Sequence, residues 1–381
     1  MSAVAPRHAD MAQWPVENDC LVVGGVPLTA LAQQVGSTPF YVYDRRLLAE
    51  RTALVRKHLP SEVKLHYAIK ANPMPALVAF MASRVDGLDV ASAGELDVAL
   101  ATGIDPAEIS FAGPGKTRAE LERAVAAGIL LNVESFREVR VLAELARDAG
   151  TRVRVAVRVN PDFELKASGM KMGGGPKQFG VDADQVPRLL AEIAQLGLAF
   201  EGFHIYSGSQ NLRAEAICEA QRKSLALAAA LAANAPSPVK VLNIGGGFGI
   251  PYFPGESPLD LAAIGRNLES MAADTRRILP QASLVVELGR YLVGEAGLYV
   301  CEVVDRKVSR GHVFLVTNGG LHHHLAASGN FGQVIRKNYP VAIGNRVRGG
   351  AREVASVVGP LCTPLDLLAD RMELAEAHPG D

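Results

Sequence analysis

The stretch Val63-Lys64-Leu65-His66-Tyr67-Ala68-Ile69-Lys70-Ala71-Asn72 reads as a β-strand that delivers a lysine at its end, and similar runs recur along the chain. The strand-like runs are residues 63–70, 87–92, 109–113, 130–133, 153–159, 200–206, 239–244 and 284–288. Amphipathic stretches with helical spacing lie between them, at 95–101, 118–127, 136–149, 185–196, 214–233 and 259–278. This alternation is the pattern of repeated βα units. It predicts an α/β chain whose eight parallel strands close as a (β/α)8 TIM-like barrel, with a doubly wound open sheet as the competing arrangement.

Past Arg290 the rhythm changes to β-type runs at 297–304, 313–317 and 353–358 with few long helices, so a second, β-rich domain is expected. The run Leu21 to Val23 precedes the barrel and is expected to join that domain, making it discontinuous. The expected division is 1–38 as an N-terminal segment, 39–290 as the barrel and 291–381 as the C-terminal domain.

With 381 residues, 49% hydrophobic and 21% charged, the chain can bury a large core. A net charge of -1 argues against nucleic acid or an anionic membrane as the main partner. Arg7, His8, Asp10, Glu17 and Asp19 interrupt any signal-peptide core, and the Ala-rich stretch 224–235 is too short to span a bilayer. A soluble cytoplasmic protein is expected. Cys20, Cys218, Cys301 and Cys362 are widely spaced, which suggests neither a disulfide framework nor a zinc site.

Lys70 gains meaning from its company, because Asp89, Ser209, Gly245 to Gly247, Glu287 and Arg290 also stand at the ends of strand-like runs. A shared rim of strand ends is where a parallel barrel builds its site. Gly245-Gly246-Gly247-Phe248-Gly249 lets backbone N–H groups approach an anion, or else forms a tight turn; it lacks the spacing of a dinucleotide fingerprint or a P-loop. Ser209 could add a hydroxyl to the same anion. Glu287, set among Val and Leu, needs a cationic partner, either a protonated pyridine nitrogen or Arg290. An amine, a phosphate cradle and a buried carboxylate are the three attachments that pyridoxal 5'-phosphate requires.

The segments Tyr67-Ala68-Ile69-Lys70-Ala71-Asn72, Asp89-Val90-Ala91-Ser92-Ala93-Gly94-Glu95-Leu96, Arg158-Val159-Asn160-Pro161, Gly208-Ser209-Gln210, Gly245-Gly246-Gly247 and Glu287-Leu288-Gly289-Arg290 carry a resemblance. In this order they resemble the fold-type III pyridoxal-phosphate decarboxylases, such as the diaminopimelate, ornithine and arginine decarboxylases, over residues 39–366. Residues 169–180 and 204–209 are similar to the decarboxylases of bacterial exosortase and exopolysaccharide gene clusters.

The resemblance implies that Lys70 forms the Schiff base and that Glu287 keeps the pyridine nitrogen protonated. It implies that Ser209, Gly245, Gly246, Gly247 and Arg290 hold the phosphate, with Asp89 and Arg158 beneath or beside the ring. Gly359-Pro360-Leu361-Cys362-Thr363-Pro364-Leu365-Asp366 is similar to the family's cysteine motif, which enters the site of the other subunit. That implies a head-to-tail homodimer with composite sites, in which Cys362 or Lys70 reprotonates the α-carbon. On residue type alone, Cys362 reads as a small buried residue.

The chain departs from the family pattern at several places. Tyr206 stands where relatives carry a histidine stacked on the cofactor, with His204 further back on the strand as the alternative. Thr363 replaces the acidic residue that grips a distal amine, and a neutral hydroxyl makes no charge-assisted bond to an ammonium. His322-His323-His324 occupies a substrate-facing region; no metal site is expected there, because sequence neighbours rarely converge on one ion. Thr363, His322, Arg336 and Tyr339 are the candidate substrate contacts. Lys166, Lys171 and Lys177 flank a glycine-rich loop that could act as a lid or a dock for an acidic carrier. The chain stops at Asp381, where relatives continue into closing strands, so a shortened C-terminal domain is expected.

The expected function is decarboxylation of an amino acid with a non-basic side chain, free or tethered to a carrier protein, in a bacterial exopolysaccharide or secondary-metabolite pathway. A basic amino-acid decarboxylase, an amino-acid racemase and a non-catalytic regulatory homologue are the alternatives. Racemases favour an arginine where this chain has Glu287, and a regulatory homologue has no need of Lys70.

Overall fold

The computed structural model describes residues 8–9, 11–164, 170–171 (backbone only), 173–329 and 337–381. Two compact units form, the larger from Leu48–Ile250 with Pro258–Glu295 and the smaller from Met1–Leu47, Pro251–Ser257 and Ala296–Asp381.

In the larger unit the strands are β1 (Val63–Ala68), β2 (Gly87–Val90), β3 (Ile109–Phe111), β4 (Leu130–Val133), β5 (Arg154–Asn160), β6 (Ala199–Ile205), β7 (Val241–Asn243) and β8 (Ser283–Leu288). Each pairs in parallel with the next, and β8 returns to β1 through the register Leu284↔Val63 to Leu288↔Tyr67. The sheet is therefore a closed barrel, which rules out the open doubly wound arrangement. Its strands are buried almost end to end, as expected where helices cover the outer face.

Local sequence explains where the helices begin. Ser92 accepts from the N–H of Glu95 at the start of Ala93–Leu100, Thr117 and Glu120 form a reciprocal capping box on Arg118–Ala127, and Ser135 and Asp260 cap Phe136–Ala149 and Leu261–Ile278. Gly128 and Gly150 end two of these helices in the left-handed region. Capping of this kind fixes these four helix starts. The loops between them form the rim that carries the chemistry.

The smaller unit is β-rich and contains three sheets among the described residues. Val16–Glu17, Cys20–Val23 and Val26–Pro27 form an antiparallel meander. Phe40–Tyr43 pairs antiparallel with Gly297–Val300. Val303–Ser309, His312–Thr317, Arg352–Val358 and Leu367–Ala375 form a four-stranded sheet whose middle pair is parallel. The run Leu21–Val23 thus pairs with its own neighbours, and Leu21 N–H and Val347 N–H tie this meander to the C-terminal chain through Gly344 O and Asp19 O. Trp14, Leu21, Val23 and Leu28 make one apolar core of this unit, and Leu315, Ala355, Ala369 and Met372 lie in another. Among the described residues no helix is long and apolar enough to cross a membrane.

Candidate active site

At the carboxyl end of β8, Glu287 is 5% exposed. Its Oε2 accepts from Asn243 Nδ2 at 3.3 Å and lies 3.2 Å from His204 Nε2, off the line of a hydrogen bond. Burial pushes the carboxyl pKa up, but His204, Lys70 and Arg158 more than offset this and hold it well below the usual carboxylate range. Glu287 is thus a fixed negative charge inside the barrel. Its Oε1 makes no hydrogen bond among the described residues, and no ion pair joins Glu287 to Arg290. Both ring nitrogens of His204 are buried without a hydrogen bond. A buried polar atom without a partner is costly, so this end of the barrel is built for an occupant.

The glycine turn follows β7. Gly245 and Gly247 have φ of 67° and 81°, a region that excludes most side chains. A Cβ on Gly245 would lie 2.8 Å from the Tyr206 ring, and one on Gly246 would strike the Glu287 carbonyl. The turn is stitched to the loop after β6: Asn211 N–H donates to Gly247 O at 2.9 Å, and Gly249 N–H donates to Asn211 O at 2.8 Å. Gln210, itself at positive φ, bonds Ile250 through both ends of its amide. These bonds carry Ser209 to the glycine turn. A glycine turn next to a serine hydroxyl is the kind of donor set that suits a phosphate.

Lys70 is not in the strand, as the sequence suggested, but in the single 3-10 turn Ile69–Ala71 that follows β1. The turn lifts it to an exposed position, with Nζ 5.5 Å from the Tyr206 ring centroid. Tyr206 is partly buried, and its ring stands edge-on to His204 at 6.4 Å. Tyr206 therefore faces Lys70, whereas His204 faces Glu287. Arg290 begins a four-residue helix after β8 and is partly buried.

Asp89 and Arg158 are both 5% exposed and belong to a polar layer within the barrel. Asp89 Oδ1 accepts from Ser110 Oγ at 2.5 Å and lies 3.2 Å from His66 Nδ1, while its Oδ2 is buried with no partner. Arg158 donates to Glu134 at 3.0 Å and lies over the Phe179 ring at 4.9 Å. Glu134 also accepts the N–H groups of Gly113 and Gly180. Burial raises the pKa of Glu134, but Arg158 and Lys116 outweigh it and keep the group ionised. The sequence pattern does not single out His66, Glu134 and Asn243, because a lone polar residue in or beside a strand shows no periodic signal of its own. Their positions within two residues of the strand ends were the clue available.

In the smaller unit, Cys362 is exposed on a turn organised by the buried carboxylate of Asp366. Asp366 accepts from Leu361 N–H at 2.8 Å and from Leu321 N–H at 2.6 Å, which joins the cysteine turn to the histidine loop. Thr363 N–H donates to Leu361 O, and its hydroxyl accepts from Leu365 N–H. His322 is exposed, and its ring contacts that of His323. His323 and His324 meet the hydroxyls of Tyr299 and Tyr41, each at 3.1 Å. Among the described residues no group of three metal-ligating side chains converges. Tyr339 packs with Tyr252 and Phe253. Arg336, Lys166 and the side chain of Lys171 lie outside the described residues.

Residues 45–294 match the family model described as the pyridoxal binding domain of pyridoxal-dependent decarboxylases. The chain is 38% identical to an L-glutamyl-[BtrI acyl-carrier protein] decarboxylase of Niallia circulans, over 93% of this chain and 84% of the relative. It is 34% identical to a diaminopimelate decarboxylase of Aquifex aeolicus, over 95% and 83% respectively. Among solved structures, the diaminopimelate decarboxylase of Helicobacter pylori complexed with L-lysine superposes with a TM-score of 0.80 at 26% identity, covering 93% of this chain and 86% of that one.

Proposed function

The chain belongs to the pyridoxal-dependent decarboxylases, and from that premise we propose that its substrate is an amino acid with a neutral or acidic end, presented on a carrier protein. That it is a pyridoxal-phosphate enzyme removing an amino-acid carboxylate follows from the family. The residues fit that cofactor. Glu287 offers an ionised, uncommitted oxygen for a ring nitrogen, the glycine turn with Ser209 offers N–H and O–H donors for a phosphate, and Lys70 offers an amine. Bound pyridoxal phosphate supplies an electron sink for the pair left behind when the carboxylate departs as carbon dioxide.

The chain's own groups would do the rest. Lys70 would hold the cofactor and yield to the substrate amine, and Glu287 would keep a proton on the ring nitrogen. Tyr206, facing Lys70, would give the ring a flat apolar neighbour. Cys362, exposed on its turn, would reach the α-carbon of a partner subunit's site and return the proton, which makes the working unit a homodimer.

Thr363 is the observation that carries the substrate reading. Its hydroxyl is neutral and already accepts a backbone N–H, so it offers a distal ammonium no charge. The relative from Niallia circulans, named for a glutamyl group on an acyl carrier protein, supports the same reading.

A carbon dioxide release assay should compare glutamyl and other aminoacyl carrier proteins with the free amino acids, diaminopimelate and ornithine. Turnover of a carrier-bound, non-basic substrate at least tenfold faster than the diamine-ended ones is expected. Preference for diaminopimelate or ornithine would overturn the proposal and place the chain with the basic amino-acid decarboxylases.

A further inference from the structure

Asn243, the last residue of β7, is 5% exposed and closes a ring of hydrogen bonds with two residues that serve different ends of the cofactor site. Its Nδ2 donates to Glu287 Oε2 at 3.3 Å, and its Oδ1 accepts the N–H of Gly245 at 2.8 Å. Glu287 N–H in turn donates to Gly245 O at 2.9 Å, which completes the circuit. The amide orientation is dictated by chemistry, since a flipped group would set oxygen against a carboxylate and N–H₂ against a peptide N–H. A side chain with one donor end and one acceptor end is therefore required at this position.

We propose that Asn243 is a positioning residue that locks the ring-nitrogen carboxylate to the phosphate turn, so that one amide sets the spacing of the two ends of the cofactor site. The inference rests on the reading of Glu287 and Gly245–Gly247 as the two anchors. Apart from the backbone bond from Glu287 N–H to Gly245 O, which fixes the main chains but not the carboxylate, neighbouring structure leaves little else to do this. His204, the register partner of Asn243 on β6, approaches the same Glu287 oxygen but makes no hydrogen bond, and Gly246 has no room for a Cβ against the Glu287 carbonyl. Asparagine also differs from aspartate here in a specific way. Aspartate would still accept from Gly245 but would turn a second negative oxygen on Glu287.

The two halves of the amide can be separated by substitution in the full-length enzyme. Asn243→Asp keeps the acceptor and loses the donor; Asn243→Ala loses both. Three readouts apply: affinity of the stripped protein for pyridoxal phosphate, protection of that protein by inorganic phosphate, and kcat with the pH at which the visible cofactor band changes. Asn243→Asp should keep cofactor and phosphate affinity within about threefold, lower kcat roughly tenfold to a hundredfold, and shift the band's pH dependence. Asn243→Ala should lose cofactor affinity roughly tenfold as well.

Wild-type kcat and an unshifted band in Asn243→Asp would overturn the proposal, and so would an affinity loss in that variant equal to that of Asn243→Ala. If Asn243→Ala fails to fold, Asn243→Asp decides, with Asn243→Ser as its neutral control, which should lose kcat without the added repulsion. Glu287→Gln measured alongside isolates the underlying reading. If that variant keeps wild-type kcat and band, the anchor assignment itself fails and the inference falls with it.

Discussion

Glu287 is buried at the end of β8 yet remains ionised, because burial is opposed by His204, Lys70 and Arg158 acting together. Such a charge stays only where a cation or a protonated ring will meet it. Glu287→Gln should leave the fold intact and lower kcat roughly a hundredfold or more, since the ring proton would lose its anionic partner; steady-state kinetics on the cofactor-loaded enzyme checks this. Thr363 sets the other limit. Thr363→Asp should raise kcat/KM for ornithine relative to a non-basic substrate by roughly tenfold, because a carboxylate supplies the charge-assisted bond that a hydroxyl lacks.

His66 carries a pH prediction of its own. Burial lowers its pKa, but Asp89, Glu108 and Glu287 raise it further, so the folded value lies above the ordinary imidazole value. The stability it contributes is fully present below about pH 6.5 and is lost as pH rises through the folded pKa. Urea unfolding at a series of pH values from about 6 to 9 should therefore show a loss of stability on the alkaline side, and this portion of the loss should be absent in His66→Asn.

At the level of elements, three barrel strands deliver candidate groups two to four residues past their ends, whereas Asp89, Arg158 and Glu287 lie within theirs. Lys70 sits in a 3-10 turn after β1, Ser209 in the loop after β6, and the glycines in the turn after β7. The strand runs were legible because β-branched and apolar residues repeat there, while helix starts were marked by Ser92, Thr117 and Ser135. The stitching between the β6 and β7 loops was not legible. It depends on backbone bonds of Asn211 and on Gln210 in a left-handed conformation, and neither leaves a residue pattern. Gly246→Ala tests how tight this construction is. Its Cβ would meet a backbone carbonyl that cannot swing aside, so cofactor affinity should fall by at least tenfold, with destabilisation of roughly 1–3 kcal/mol in thermal or urea unfolding.

For the whole molecule, the distribution of residues between the two units frames the assembly question. The Lys70 rim belongs to the barrel unit, while Cys362, Thr363 and the histidine loop belong to the β-rich unit and are joined there by Asp366. If a partner's Cys362 completes each site, the protein should sediment as a dimer, and Lys70→Ala and Cys362→Ala proteins, each nearly inactive, should regain activity when mixed. Random exchange of subunits would restore about a quarter of wild-type activity, because half of the dimers would be mixed and each would hold one intact site. No recovery despite proven exchange would place Cys362 in the site of its own chain or outside the site.

The amino-acid sequence by itself determined the βα rhythm, the strand ends where the candidate site residues lie and the motifs that mark the family, because these depend on local periodicity and residue type. Closure was decided only in three dimensions, when β8 paired with β1 and brought Glu287 beside His66 in register. So were the ionisation of Glu287, the separate directions faced by Tyr206 and His204, and the circuit through Asn243. All of these depend on distances between residues far apart in the chain, and the free energy of a buried polar group is set by whichever partners the fold places around it.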